Sequence, residues 1–407
     1  MKSTAQKVIR LYYGFQFFFP LFLWLPIFYE YQKKIGLDDS QIFLIQSIYY
    51  WVFCLLEIPT GLIADRFGYR FCMRAGAIWV GVAGLFPIFF QSYSGFLVHF
   101  LLIALGRSFV SGAASAYLYE FLKLQGNSDY KKVEGNARAY SLIGKIVLWP
   151  AVGALMHWHL TLPYWLTFFA NGVGVWLAFS FPCLEWIKRD SDFLKNIRGT
   201  FSVLLFRPLL VLIMIQGVAV FTLSRILQIN LFQPILISKG IALGTHGAVM
   251  SFMTVFETWG SFTPTMGLRS KGPFSNLSAV FLFTLLMAGS MIWIDFSGVA
   301  GTWIALGVFS YVTGASFPVQ KQLINDAIPD SKYRATLLSV ESIVDRAACA
   351  MAASFVASFV AQGKVGAFLR ISGFAAMGLM VLLYLGLHFA TSRSELSSNA
   401  LARDLKG

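Results

Sequence analysis

The chain has 407 residues, of which 57% are hydrophobic and only 13% are charged, and its mean hydropathy is +0.67. This balance excludes a string of soluble domains and is typical of an integral membrane protein. The formal net charge of +13 would indicate a nucleic-acid partner in a soluble protein, so its meaning depends on where the basic residues fall. The four cysteines are scattered and indicate neither a disulfide framework nor a metal site.

Twelve apolar runs follow one another along the chain, and each is close to the ~20 residues that cross a bilayer core. The first run, which begins at Val8, lacks a small-residue cleavage site, so we predict a retained helix and not a signal peptide. The short loops leave no room for an enzyme domain. We number the predicted helices α1 to α12 in chain order: 8–32, 41–64, 72–92, 95–123, 137–158, 162–183, 208–237, 243–267, 275–294, 299–322, 335–360 and 366–390.

Most of the 32 lysines and arginines fall on one set of alternate segments, namely the N-terminus, the loops after the even-numbered helices and the tail. By the positive-inside rule, both termini are then cytoplasmic. The net basicity is explained by this topology and needs no nucleic-acid partner. The opposite set of loops carries about five basic residues: Lys33, Lys34, Lys239, Lys364 and Arg370.

The densest charge cluster lies between α2 and α3, where residues 57–74 read EIPTGLIADRFGYRFCMR. We expect Gly61 to allow close approach of another helix and Gly68 to take the positive φ of a tight turn. Asp65 lies one helical turn beyond Gly61, so its carboxylate is expected to meet the N-terminal end of a neighbouring helix.

Six positions in this stretch resemble the loop signature between helices 2 and 3 of the major facilitator superfamily: Gly61, Ala64, Asp65, Arg66, Gly68 and Arg70. Tyr69 stands where the family usually has an arginine. The resemblance implies an all-α membrane fold with twelve transmembrane helices in two pseudo-symmetric six-helix halves. It also implies a gating motif that comprises Glu57, Gly61, Asp65, Arg66, Gly68 and Arg70.

An internal repeat supports two halves. Residues 108–113 (SFVSGA) recur as 310–315 (SYVTGA) near the middle of α4 and α10, and Glu57 of α2 has a counterpart in Glu257 of α8. Parallel repeats of this kind are a known feature of the superfamily. We predict an N-terminal half at 1–184, a cytoplasmic amphipathic linker at 185–207, a C-terminal half at 208–391 and a cytoplasmic tail at 392–407.

Ionisable groups at membrane depth are costly unless they are paired or hydrated, so they are the first candidates for function. Glu57 is predicted either to pair with Arg346 or to bind a proton. Besides Glu57, the candidates for proton or substrate binding are Arg107, Glu120, Lys145, Arg225, Glu257, Glu341, Asp345 and Arg346.

Several of these roles remain open. Arg107 resembles the helix 4 arginine motif of proton-coupled exporters, although Gly112 follows it by five residues instead of the usual four. Its possible roles are proton coupling, substrate binding and a structural bond to α1. Arg225 either lines a cavity or extends toward the membrane surface. Glu341 and Asp345 are one turn apart, and their repulsion favours binding of a proton by one of them unless Arg346 or Lys145 neutralises both. Glu120 is either a functional carboxylate or one bonded to loop groups at the end of α4.

The sequence therefore predicts a secondary active transporter in a bacterial inner membrane. It would export an organic metabolite, drug or siderophore in exchange for protons, as a monomer, without a cofactor or metal. The aromatic content of 16% suits an amphipathic organic solute. The alternatives are an importer of such a solute, a lipid translocator and, more remotely, a non-transporting receptor or scaffold; neither a nucleophile-base pair nor a phosphate loop indicates an enzyme.

Overall fold

The computed structural model describes residues 2–126, 130–183, 208–263, 273–327 and 331–404, and all regular secondary structure in these ranges is helical. The predicted linker at 185–207 lies outside them. The tail predicted at 392–407 continues the last helix as far as Asp404. Eight helices are unbroken: α2 (Asp39–Phe67), α4 (Tyr93–Leu124), α6 (Leu162–Ser180), α8 (Leu243–Phe262), α9 (Pro273–Phe296), α10 (Val299–Ala327), α11 (Ser331–Ala361) and α12 (Val365–Asp404).

The other four helices are interrupted. α3 comprises Tyr69–Ala83 and Phe86–Phe89. α5 comprises Tyr130–Leu148, a 3₁₀ turn and Val152–Trp158, and α7 comprises Pro208–Arg225, a π-helical turn at Ile226–Asn230 and Phe232–Ser238. α1, predicted as one helix over 8–32, comprises Lys2–Phe18, a 3₁₀ turn at Leu25–Ile27 and Phe28–Lys34.

The break in α1 follows from Pro20 and Pro26, which have no N–H to donate and clash with the preceding turn. Neighbouring helices satisfy the backbone groups that the break frees. The Leu23 N–H donates to Thr167 Oγ1 of α6 at 2.9 Å, and Trp149 Nε1 of α5 donates to the Phe22 carbonyl at 3.0 Å. The irregular segment is therefore held in a defined conformation inside the protein.

Ten helices in the described ranges are long and apolar enough to cross a membrane. The two others are α1, which is broken, and α8, which carries His246 and Glu257. Together they complete the predicted set of twelve.

The chain forms two compact units. Unit 1 comprises Met1–Ser191, Ile226–Val255 and Arg346–Val365, and unit 2 comprises Asp192–Arg225, Phe256–Asp345 and Gly366–Gly407. The units divide α7, α8 and α11 between them. The predicted halves at 1–184 and 208–391 describe the sequence repeat and remain a prediction.

In unit 1, α4 packs against both α2 and α3. The contact with α3 is close because two glycines face each other: a Cβ on Gly76 would lie 2.5 Å from the Gly106 carbonyl oxygen, and a Cβ on Gly106 would lie 2.6 Å from the Gly76 carbonyl oxygen. No larger residue fits at either position without moving a helix. This contact fixes the depth and rotation of α4 at Arg107, the next residue along the chain.

In unit 2, α9 packs against α10 in the way that α3 packs against α4 in unit 1, as the internal repeat predicts. α7 also lies on α10, where Gln320 Nε2 donates to the Ile213 carbonyl at 2.7 Å. The repeat is not identical in its contacts. A Cβ on Gly314 would collide with the Glu257 carbonyl of α8, whereas a Cβ on its counterpart Gly112 would meet open space among the described residues.

Candidate functional site

Five side chains of unit 1 form a cluster at the junction of α2, α4 and α11, which we call the arginine cluster: Tyr49, Phe53, Glu57, Arg107 and Arg346. Tyr49, Phe53 and Glu57 are spaced at four residues, so they lie on one face of α2. The Phe53 ring lies near one guanidinium from α4 and one from α11. Arg107 Cζ is 5.8 Å and Arg346 Cζ is 4.1 Å from the ring centroid.

Arg107 is half-buried, and its Nη1 donates a hydrogen bond to the Tyr49 hydroxyl oxygen at 3.0 Å. One alternative from the sequence was a structural bond from Arg107 to α1. That alternative is wrong about the partner helix, because the bond goes to α2. The close Gly76–Gly106 contact sets the rotation of α4, and in this rotation the side chain meets the aromatic face of α2.

Arg346 pairs with Glu57, as the sequence suggested, with Nη2 and Oε2 3.6 Å apart. Hydrogen bonds further along the same pair of helices fix α2 against α11: Ser47 Oγ donates to the Ala350 carbonyl at 2.9 Å, and Ser354 Oγ donates to Ser47 Oγ at 3.1 Å. The ion pair therefore lies in a preformed helix contact.

Glu341 of unit 2 is half-buried on α11, facing α7 and α10. Its Oε1 lies 3.1 Å from the point that a Cβ on Gly217 would occupy, and the Gln320 side chain also borders this point. Gln320 Oε1 is buried without a hydrogen-bond partner in the described part of the chain, and Lys321 is close enough to interact electrostatically with Glu341. The glycine leaves room for a carboxylate and an amide beside α7.

The remaining intramembrane candidates lie outside these two groups. Arg225 stacks on Phe221 at 5.0 Å, and Lys145 Nζ lies 5.9 Å from the Trp149 ring centroid. Glu120 is half-buried in the last turns of α4, and Glu257 is half-buried on α8. Asp345 is half-buried one turn after Glu341.

The turn predicted at Gly68 is confirmed, whereas the gating role of the motif stays a prediction. Gly68 ends α2 with φ of 88°, as the tight turn requires, while Asp65 and Arg66 belong to the last turn of the helix. The expectation for Gly61 is wrong: this glycine is exposed, and a Cβ there would meet nothing within 4 Å among the described residues. The adjacent Leu62 is exposed as well. The interaction of Asp65 with a helix N-terminus stays a prediction.

Sequence reasoning missed Glu134. Its two carboxylate oxygens accept hydrogen bonds from the Tyr12 hydroxyl at 2.8 Å and from Ser115 Oγ at 3.3 Å, so it joins α5 to α1 and α4. We predicted α5 from 137, which left Glu134 in a loop, whereas the helix begins at Tyr130. The buried pair Val133 and Ala137, four residues apart, is the periodic signal that extends the helix.

The sequence also did not predict a set of contacts around Gln233 and Gly247, which we call the clasp. It lies at the end of unit 1 where the loops after α1, α5 and α7 are located. The fully buried Gln233 of α7 accepts the N–H groups of Tyr29 and Glu30 through Oε1, both at 3.1 Å. Its Nε2 donates to the Leu25 carbonyl at 3.4 Å. Beside it, Gly247 of α8 lies so close to the Trp149 carbonyl that a Cβ there would collide with it.

Comparisons with known proteins agree with this architecture. A sequence model of the Major Facilitator Superfamily matches residues 11–353. No curated protein matches the chain. Solved structures with the same fold include the nucleoside transporter NupG (TM-score 0.72, 12% identity, covering 94% of this chain and 99% of that one) and the peptide transporter POT in complex with sulfate (0.74, 16%, 93% and 94%). A D-xylose-proton symporter is similar at TM-score 0.70 and 13% identity, covering 93% of this chain and 97% of that one.

Proposed function

Because the chain belongs to the Major Facilitator Superfamily, we propose that it moves an organic small molecule across the membrane by alternating access, coupled to protons and in the direction of export. It is a multi-pass membrane transporter and not an enzyme. The loop charges favour the cell inner membrane with both termini in the cytoplasm. A monomeric protein is part of the same proposal.

The arginine cluster is the observation that carries this proposal. It places two guanidinium groups, one carboxylate and two aromatic rings at the contact of three membrane-spanning helices. Charged groups in such helices are expensive and mark the pathways of solutes and ions. Aromatic surface with a few fixed polar groups is also the usual lining of a site for an organic molecule.

Proton coupling is assigned to Glu341 together with Asp345. Glu341 is half-buried beside Gln320, whose buried Oε1 is an acceptor. A protonated Glu341 could donate to such an acceptor, whereas an ionised one would be repelled by it. A proton taken up from the more acidic outside and released inward would supply the driving force for export.

The clasp supports alternating access. By the loop charges it lies at the outer surface, and it is built mainly from backbone groups and glycines that fit only at close approach. Three hydrogen bonds to one side chain and one close helix approach can form and break together. Opening of the clasp would expose the helices of unit 1 to the outside.

Import is the second candidate. It is favoured by one of the structurally similar proteins, which is described as a D-xylose-proton symporter. Export is favoured by the resemblance of Arg107 to the arginine motif of proton-coupled exporters. The two directions differ in the sign of the proton gradient that drives uptake into a vesicle.

Proteoliposomes of purified protein test the proposal. A panel of metabolites, drugs and siderophores is first screened for compounds that raise the melting temperature of the protein. Exchange of each selected compound, in radiolabelled form, is then measured. We expect exchange of at least one compound, and uptake driven by an acidic interior for an exporter or by an acidic exterior for an importer. Binding without exchange of any compound would favour the receptor alternative and reject transport.

A further inference from the structure

No described carboxylate forms an ion pair with Arg107, which carries its charge in the membrane-spanning part of α4. Within the described part of the chain its contacts are the Tyr49 hydroxyl at 3.0 Å and the Phe53 ring at 5.8 Å. Both partners are neutral. Glu57, the acid of the arginine cluster, is already paired with Arg346.

A phenol and an aromatic ring orient a guanidinium but do not neutralise it. A buried or half-buried charge of this kind is costly unless an opposite charge comes to it during function. The guanidinium presents five N–H donors in a planar fork, and the Tyr49 contact is made through Nη1. This is the one hydrogen bond of the guanidinium among the described residues, so its remaining N–H groups are available to an approaching group.

We propose that the transported solute is an organic anion whose carboxylate or phosphate group binds Arg107, with an apolar or aromatic body against Tyr49 and Phe53. The assignment rests on the proposed transport function and adds the chemical class of the solute. A planar or tetrahedral oxyanion matches the guanidinium fork with two parallel hydrogen bonds, which a neutral solute cannot form with comparable strength.

The arrangement of the cluster indicates why the anion enters here and not at Arg346. Arg346 lies 4.1 Å from the Phe53 centroid and is engaged by Glu57, so its charge is already balanced. Phe53 lies near both guanidinium groups, and the carboxylate of Glu57 is paired with the one from Arg346. Tyr49 is a positioning residue, since its hydroxyl holds the fork in place without competing as a charged acceptor.

The test uses full-length protein in detergent and a panel of matched pairs, each an anion with its neutral partner. The carboxylate arm contains aryl-alkyl and alkyl carboxylates with their primary amides, and the phosphate arm contains aryl phosphate monoesters with the parent alcohols. We expect the anionic member of at least one pair to raise the melting temperature and its partner to have no effect. The two arms distinguish a carboxylate solute from a phosphate solute.

Arg107→Gln should weaken binding of that anion by about tenfold to a hundredfold, the loss expected for a charge-assisted hydrogen-bonded pair. Arg107→Lys keeps the charge, guards against a folding defect of the Gln variant and should retain part of the affinity. Arg138→Gln, which removes an exposed arginine from α5, should bind as the wild type does.

The proposal is overturned if the neutral partners bind as well as the anions, if Arg107→Gln keeps wild-type affinity, or if no anion of the panel binds. Exchange in proteoliposomes then separates it from the proposed function. An anion that binds through Arg107 but is not exchanged would reject transport and retain the site. Exchange of neutral solutes alone would reject the anion site and retain transport.

Discussion

The pair of Glu57 and Arg346 shows how single residues join α2 to α11. The two side chains are only 19% and 13% exposed, and Phe53 covers the guanidinium from one side. Charges that water reaches poorly interact more strongly than charges at the surface. A lone partner left in this place would also be poorly solvated, so loss of one member costs more than loss of both.

Glu57→Gln should therefore lower the free energy of unfolding by about 3 kcal/mol, because it leaves Arg346 with a neutral partner. The double variant Glu57→Gln/Arg346→Gln should recover part of that loss, since it also removes the guanidinium that Glu57 pairs with. Denaturation of the detergent-solubilised proteins measures both values. Equal stability of the Gln variant and the wild type would mean that the pair is solvated and contributes little.

Asp65 is the acid of the gating motif and is half-buried at the end of α2. Asp65→Asn keeps the size of the side chain but removes the charge that is proposed to hold a closed state. We expect slower transport with little loss of folded protein, judged by exchange in proteoliposomes beside size-exclusion profiles. Arg66→Gln, at the exposed neighbouring position, serves as the control. Full transport by the Asn variant would remove Asp65 from the gate.

At the scale of elements, the clasp depends on how closely α8 approaches α5. Gly247 has no room for a Cβ because the Trp149 carbonyl lies against it. A Cβ on Gly244, one turn earlier on the same helix, meets none of the described residues within 4 Å. The two glycines therefore form a matched pair for substitution. One change forces α5 and α8 apart, and the other does not.

Gly247→Ala should open the outer end of unit 1, and Gly244→Ala should leave it closed. A cysteine placed at Leu236, which is fully buried on α7 about one turn after Gln233, reports the difference through its rate of reaction with a membrane-impermeant maleimide in intact cells. We expect the reaction to be at least severalfold faster with Gly247→Ala than with Gly244→Ala. Equal rates would show that the clasp tolerates the added methyl group.

At the scale of the whole molecule, the twelve helices and the loop charges predict a topology with both termini inside. External cysteine labelling should reach substituted positions near Lys34 and Gly363 and none near Lys131, Lys195 or Lys332. Labelling from the outside near Lys195 would overturn the twelve-helix arrangement, because this position lies midway between the two halves.

The parts of the fold that were predictable from sequence depend on local chemistry. Apolar runs mark the helices, and Gly68 adopts its positive φ because a residue with a Cβ would be strained there. Contacts between distant residues were not predictable. Gln233 binds backbone N–H groups 203 and 204 residues away, and Arg107 binds a tyrosine 58 residues away on α2.

For the candidate site, the residue types were predictable and the partners mostly were not. Charges in apolar runs identify Glu57, Arg107 and Arg346 whatever their contacts are. The partner of Arg107 depends on the rotation of α4, which the Gly76–Gly106 contact sets, and no local pattern encodes that rotation. Glu134 was missed because a carboxylate near a helix start has the same local pattern as one in a loop.

We propose that a proton gradient drives solute movement through Glu341 and Asp345. Accumulation of solute in proteoliposomes under a pH difference alone tests this coupling most directly. A difference of one unit supports about a tenfold solute gradient if one proton moves per solute. The wild type should accumulate its solute, whereas Glu341→Gln and Asp345→Asn should bind and exchange it without accumulation. Accumulation by both variants against a gradient would contradict the assignment of the proton site, and the absence of accumulation by the wild type would contradict proton coupling itself.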